Sequence, residues 1–186
     1  VHTLKALTLT QPWATLVAQR QKRFETRSWR TDHRGPLAIH AGKGLDPVGG
    51  REGLAQTVDR LPRGVIVAVA NLTVVHRVED VRDSLGGKHE GRLEKAFGDY
   101  TDGRWAWRLD DVVALPRPLE CKGERRLWDV PLDLLDELQL QLARGLDIAG
   151  GGSSCTDCGC TDNGACDDGC YWVKPGLCSS CVEVLA

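Results

Sequence analysis

The chain has 186 residues, of which 41% are hydrophobic and 27% charged, with a formal net charge of −2. That length holds one ordinary hydrophobic core plus an appendage, and the composition excludes a collagenous, fibrous or wholly disordered chain. No apolar run approaches the roughly 18 residues of a membrane helix, so no membrane partner is expected.

In chain order, residues 4–10 (LKALTLT) alternate as a half-buried strand does, which marks the beginning of the chain as structure and not as a discarded leader. Pro12 then occupies a position that a first helical turn tolerates, ahead of Trp13, Leu16 and Val17 at helical spacing. Residues 24–30 (FETRSWR) alternate again, with Glu25, Arg27 and Trp29 on one face. After the Gly35-Pro36 break, residues 36–41 (PLAIHA) predict another strand, and residues 50–60 a helix. The β-branched run at 64–75 (GVIVAVANLTVV) reads as a central strand buried on both faces. Residues 79–97 predict one or two short helices, and 103–115 two strands or one bent strand with Trp105 and Trp107 on a common face. A last short strand covers 127–130, and Pro131 opens a helix expected to stop at Gly145. Strands interrupted by helices, without regular βαβ alternation, predict an α+β domain with a curved or closed sheet, a small barrel.

Charge is uneven along the chain. Within residues 1–43, Lys5, Arg20, Lys22, Arg23, Arg27, Arg30, Arg34 and Lys43 are opposed only by Glu25 and Asp32. A basic segment suits an anionic partner such as nucleic acid, against the plainer reading of mixed solvated surface.

Residues 149–154 (AGGGSS) read as a connector, dividing a domain at 1–148 from a module at 155–186. That module carries Cys155, Cys158, Cys160, Cys166, Cys170, Cys178 and Cys181, with more acids than bases. The pairs Cys155-x2-Cys158 and Cys178-x2-Cys181 have the spacing of zinc knuckles, in which two sulfurs of each pair reach one tetrahedral ion. The remaining three cysteines are one ligand short of a second site, which a bridging thiolate, Cys121 or a tail Asp would complete. Two zinc ions are expected, with one zinc, an iron–sulfur cluster and disulfides as rivals. Seven thiols and no export pattern favour a reduced, cytoplasmic setting. The module's acidity makes it a poor phosphate binder and points to a structural or protein-contact role.

Residues 7–17 (LTLTQPWATLV), the spacing Lys22-x-x-Glu25-x-Arg27-Ser28-Trp29-Arg30, then Arg34-Gly35-Pro36-Leu37, Ile39-His40-Ala41, Lys122-Gly123 and Leu127-Trp128-Asp129-Val130 together resemble the ASCH domain family over residues 3–130. The resemblance implies a PUA-like β-barrel with a cleft for RNA or a nucleobase. It also implies two enzymatic possibilities, a ribonuclease and an amidohydrolase acting on N4-acetylcytidine. In the amidohydrolase branch a lysine and a threonine three residues later are catalytic, with a distant glutamate. Lys22 matches the lysine, Glu25 replaces the threonine, and Glu90 and Glu94 lie in the region of the glutamate.

Lys22, Glu25 and Arg27 are therefore the candidate catalytic group, the rival reading being a surface ladder of charges across a strand. Gln11, Trp13 and Trp29 are candidates for a base-sized pocket, and Arg30, Arg34 and Lys43 for phosphate contacts. His40 is the remaining ligand candidate, against a structural hydrogen bond. The expected function is RNA or nucleoside binding, with hydrolysis through Lys22 and a zinc-stabilised adaptor that recruits a protein partner as alternatives.

Overall fold

The computed structural model describes residues 3–46, 60–86 and 94–150, with side chains to residue 143, and the strand residues 172–174 and 177–178. Six strands, β1 (Lys5–Gln11), β2 (Phe24–Arg27), β3 (Gly35–Leu45), β4 (Val65–Arg77), β5 (Trp105–Glu120) and β6 (Leu127–Asp129), form one sheet in the order β2-β5-β4-β3-β1-β6. The β1–β3 pair is parallel and the other pairs are antiparallel. Helix α1 (Trp13–Ala18) follows β1, α2 (Val78–Arg82) follows β4, and α3 (Leu132–Gly150) follows β6. The class is mixed α+β, as expected.

The sheet is strongly curled. In a flat sheet β2 and β1, four strand spacings apart, would stand about 19 Å from each other, far beyond one side chain. Yet Arg27 on β2 donates from Nη2 to the carbonyl of Thr8 on β1 at 2.9 Å. Among the described residues no ladder joins β2 to β6, so the expected ring is closed by side chains and not by backbone hydrogen bonds.

Alternation places Leu7 and Leu9 of β1 inside, with Leu37, Ile39 and Ala41 of β3, Leu72 of β4, and Trp107 and Leu109 of β5. Helix α1 contributes Ala14 and Val17 to this interior. The opposite face of the same strands supplies Ala6, Ala38, Ile66 and Val69, covered by Leu138 of α3. A third cluster joins Phe24 and Ala106 to Val78, Val81 and Leu85. β4 is interior to the sheet, as its unbroken apolarity predicted.

Two expectations are revised and one alternative is decided. The strand predicted at 24–30 ends at Arg27, because its partner β5 begins at Trp105, opposite Arg27, and offers nothing to Ser28 onward. Of the alternatives at 103–115, the single bent strand is the one found: residues 105–115 belong to β5, bent at several register shifts and at Asp111, whose φ is 48°. Helix α3 runs through Gly145 to Gly150; a mid-helix glycine costs only about 1 kcal/mol, too little to stop it between Leu142 and Leu146.

The helix expected at 50–60 falls, but for its last position, outside the described residues. The chain divides into two compact units, Val1–Leu142 and Ala143–Ala186. In the second, β7 (Trp172–Lys174) pairs antiparallel with β8 (Leu177–Cys178). The side chains of the seven tail cysteines lie outside the described residues. Among the described residues no helix is long and apolar enough to cross a membrane.

Candidate functional site

Where β1, β2 and α1 meet, a cleft of about 340 Å³ opens, near the lower end of the roughly 300–1,000 Å³ of small-ligand sites. Its ionic walls are Lys22, Arg27 and Arg104 against Glu25, Asp46 and Asp99. Three of these were predicted together. Period-two geometry sets Glu25 and Arg27 on one face of β2, and Lys22 enters from the turn after α1.

Lys22 is 1% exposed. Its ammonium donates to the carbonyls of Phe24 and Phe97, each at 2.6 Å, and lies 3.6 Å from Glu25 Oε2. An ammonium has three N–H groups, and three acceptors surround this one, so Lys22 is held as a donor. Glu25 Oε1 stands 2.9 Å from Arg27 Nε, but that N–H makes no hydrogen bond of acceptable angle; the contact is an ion pair. The guanidinium is aimed instead by its Nη2 bond to Thr8. The surface-ladder reading does not fit a lysine and a carboxylate this deeply buried.

Trp13 is partly buried against the core and also lines the cleft. Its Nε1 donates to Asp46 Oδ2 at 2.8 Å, which fixes the ring plane. Phe97 stands 6.0 Å away, ring to ring. Across the cleft Arg104 donates to the carbonyls of Asp99 and Thr26. The hydroxyl and amide of Thr101 hold the Asp99 carboxyl below its usual range.

The strand that carries this group is itself pinned. Glu94, 1% exposed, accepts the amides of Arg23 and Phe24 at 2.8 and 2.9 Å. Tyr100 reaches the same carboxylate at 3.5 Å, and burial pushes its phenol far above the ordinary value, so it stays protonated. Glu94 anchors β2 and does not line the cleft. Glu90 lies outside the described residues.

A second, wider pocket of about 910 Å³ adjoins the first at Thr8. Lys43, Arg63 and Lys122 line it, opposed by Glu120, with His40 in its wall. His40 is 2% exposed, and its Nε2 donates to the Cys121 carbonyl at 3.0 Å, which leaves Nδ1 as a buried acceptor without a partner. Burial holds the imidazole below its ordinary pKa, the bond to Cys121 partly offsetting it.

The other predicted residues lie elsewhere. Gln11 is fully buried, bonded to the Pro62 carbonyl and the Thr15 amide, and serves the fold. Trp29 sets its ring at right angles to Trp107, 4.6 Å between centroids, under the guanidinium of Arg126. Arg30 pairs with Asp32 at 2.6 Å, and Arg34 folds back on the carbonyls of Thr31 and His33. Sequence reading missed Thr8, Asp46, Phe97, Asp99 and Arg104 in the first pocket, and Arg63 and Lys122 in the second.

A family model described as "ASCH domain" matches residues 7–103. Among solved structures, an ASCH protein from Zymomonas mobilis is similar in fold. Its tyrosine-to-phenylalanine variant is 15% identical, covering 75% of this chain and 98% of that one, with a TM-score of 0.48. The parent structure is 15% identical, covering 73% and 93%, with a TM-score of 0.47. A serine-to-alanine variant gives 16%, 73%, 94% and 0.46. No curated protein sequence matches this chain.

Proposed function

This chain belongs to the ASCH domain family, and from that premise we propose that the cleft between β1, β2 and α1 holds an unpaired base of RNA or a modified nucleoside. RNA binding is what the family resemblance implies. The observation that carries the reading here is the pairing of an indole wall with three cationic and three anionic side chains around one cleft. A base edge presents donors and acceptors together and so matches such a lining, whereas a phosphate presents acceptors alone. The Trp13 ring offers a face for stacking, held in place by Asp46.

Titration of the four ribonucleosides, N4-acetylcytidine and short RNAs tests this. Single strands or nucleosides are expected to bind better than duplex, and Trp13→Ala to weaken binding by about 1–3 kcal/mol, the contribution of one stacked base. Equal binding of duplex and single strand, or an indifferent Trp13→Ala variant, defeats the reading.

Hydrolysis is the second reading, favoured by a buried lysine beside a buried carboxylate in a cleft. Because the three N–H groups of Lys22 already face three acceptors, its role in such a reaction is electrostatic, its positive charge stabilising negative charge that develops in the cleft. Product analysis on N4-acetylcytidine and RNA decides: turnover that Lys22→Ala abolishes supports the enzyme, and unchanged turnover removes Lys22 from it.

For residues 155–186 we infer a thiolate zinc module with two ions that holds a small fold together and offers a surface to a protein partner. The spacing of its seven cysteines supports this. Metal content of freshly purified, reduced protein is the measurement, and neither zinc nor iron is the result that defeats it.

A further inference from the structure

We propose that the pocket lined by Lys43 and Lys122 is a phosphate subsite of the base cleft, so that the ligand is a nucleotide or a strand and not a free nucleoside. This rests on the reading of the cleft given above.

Thr8 stands between the two pockets. Its carbonyl faces Arg27 in the base cleft, while its hydroxyl accepts the indole N–H of Trp128 at 3.1 Å on the other side. One strand, β1, is therefore the partition between them. A strand is about 5 Å wide, a distance that the sugar of one nucleotide spans from base to phosphate.

The charge of the two sides differs in kind. In the base cleft each cation has an anion or a backbone carbonyl at hand. In the second pocket Lys43 and Lys122 share the lining with one carboxylate, Glu120, and neither lysine has an ion-pair partner among the described residues. An unneutralised pair of ammonium groups beside a wide, solvent-open cavity draws an anion by its field, and phosphate contacts of this kind hold a strand in place without reading sequence.

The pocket is also built to stay open at its partition. Gly123 lies so close to β1 and β3 that an added Cβ would stand 2.5 Å from His40 Nδ1 and 2.8 Å from Thr8 Oγ1. Only glycine lets the loop carrying Lys122 lie flat against that wall. His40 beneath it is neutral and spent on Cys121, so the lysines supply the attraction.

The test compares each ribonucleoside with its 5′- and 3′-monophosphates and with a short single-stranded RNA, in the full-length wild-type chain and in a Lys43→Ala/Lys122→Ala variant, at two salt concentrations. Both lysines are solvent-exposed, and circular dichroism checks that the variant folds. One monophosphate is expected to bind at least tenfold tighter than its nucleoside. In the variant that ratio is expected to fall towards one, and the slope of log affinity against log salt for the single-stranded RNA to drop by roughly 1.4, about 0.7 for each lysine that no longer neutralises a phosphate. A nucleoside that binds as well as its monophosphates overturns the subsite and leaves the base cleft standing. So does a variant that keeps the wild-type ratio. If no nucleoside, nucleotide or RNA binds, the base-cleft reading fails and the subsite fails with it.

Discussion

On the Arg27 side of β1 the walls are charged groups that hold one another: Lys22 on two carbonyls and Glu25, Arg27 on Glu25 and Thr8, Arg104 on Asp99 and Thr26. On the His40 side the wall is a neutral ring under a glycine, and Lys43 and Lys122 stand without an ion-pair partner among the described residues. The first arrangement fixes geometry, since each of the three cationic side chains is already held by a carboxylate or a backbone carbonyl, and it suits recognition of a shaped polar edge. The second leaves charge uncommitted and suits capture of an anion in many orientations. Salt separates them: paired, partly buried charges are screened little, whereas exposed unpaired ones are screened strongly.

The comparison breaks hardest at Glu94. Its carboxylate satisfies two backbone amides at the start of β2, and Glu94→Ala leaves both without an acceptor in a buried setting. A loss of about 3 kcal/mol in unfolding free energy is expected, measured by urea denaturation, with a smaller loss for Glu94→Gln, which keeps one acceptor oxygen. A loss under about 1 kcal/mol would mean that the base cleft is not held by charge-assisted bonds as described.

The difference between the pockets also explains what could be read in the sequence. Glu25 and Arg27 were legible because two residues on one strand share a face wherever the strand goes, and β1, β3 and β4 were legible from alternation or unbroken apolarity. Asp46, Phe97 and Arg104 reach the cleft only because the sheet curls, a property of six strands acting together that no local pattern records. Trp29 was misplaced for a related reason: β2 stops where β5 begins, so the alternation that put it beside Arg27 no longer governs, and its ring turns onto Trp107. Lys122 sits in a loop whose position is set by Gly123, and glycine announces a close approach without saying to what.

Gly123→Ala sharpens the comparison from the other side. The added methyl meets a buried, hydrogen-bonded ring and the Thr8 hydroxyl, so the loop must lift or His40 must leave Cys121; overpacking of this sort costs about 1–3 kcal/mol. The effect on binding should be selective. The extra affinity of a nucleotide over its nucleoside is expected to shrink, while the cleft on the far side of β1 keeps its lining. A fully stable Gly123→Ala protein with wild-type nucleotide affinity would show that the loop does not depend on that close approach.

The smallest expected effect is one of pH, and it belongs to the His40 side alone. Burial holds the folded imidazole below the ordinary value of 6.5, the bond to the Cys121 carbonyl partly offsetting it; the charged groups of the same pocket are Lys43, Arg63, Lys122 and Glu120, and the Cys121 thiol, pushed up by burial, stays neutral. As pH falls through about 6.5 the unfolded chain takes up a proton that the folded ring refuses. The unfolded state then binds more protons than the folded one, so stability declines as pH falls and levels off once the folded ring is protonated too. His40→Gln, which can still donate to the Cys121 carbonyl, removes that one proton from the balance and leaves the carboxylates to titrate as before. The drop in Tm from pH 7.5 to 5.5 is therefore expected to be smaller in His40→Gln than in wild type. Equal drops would mean that the ring takes its proton in the folded pocket, and with a charged His40 the attraction for phosphate would no longer rest on the lysines alone.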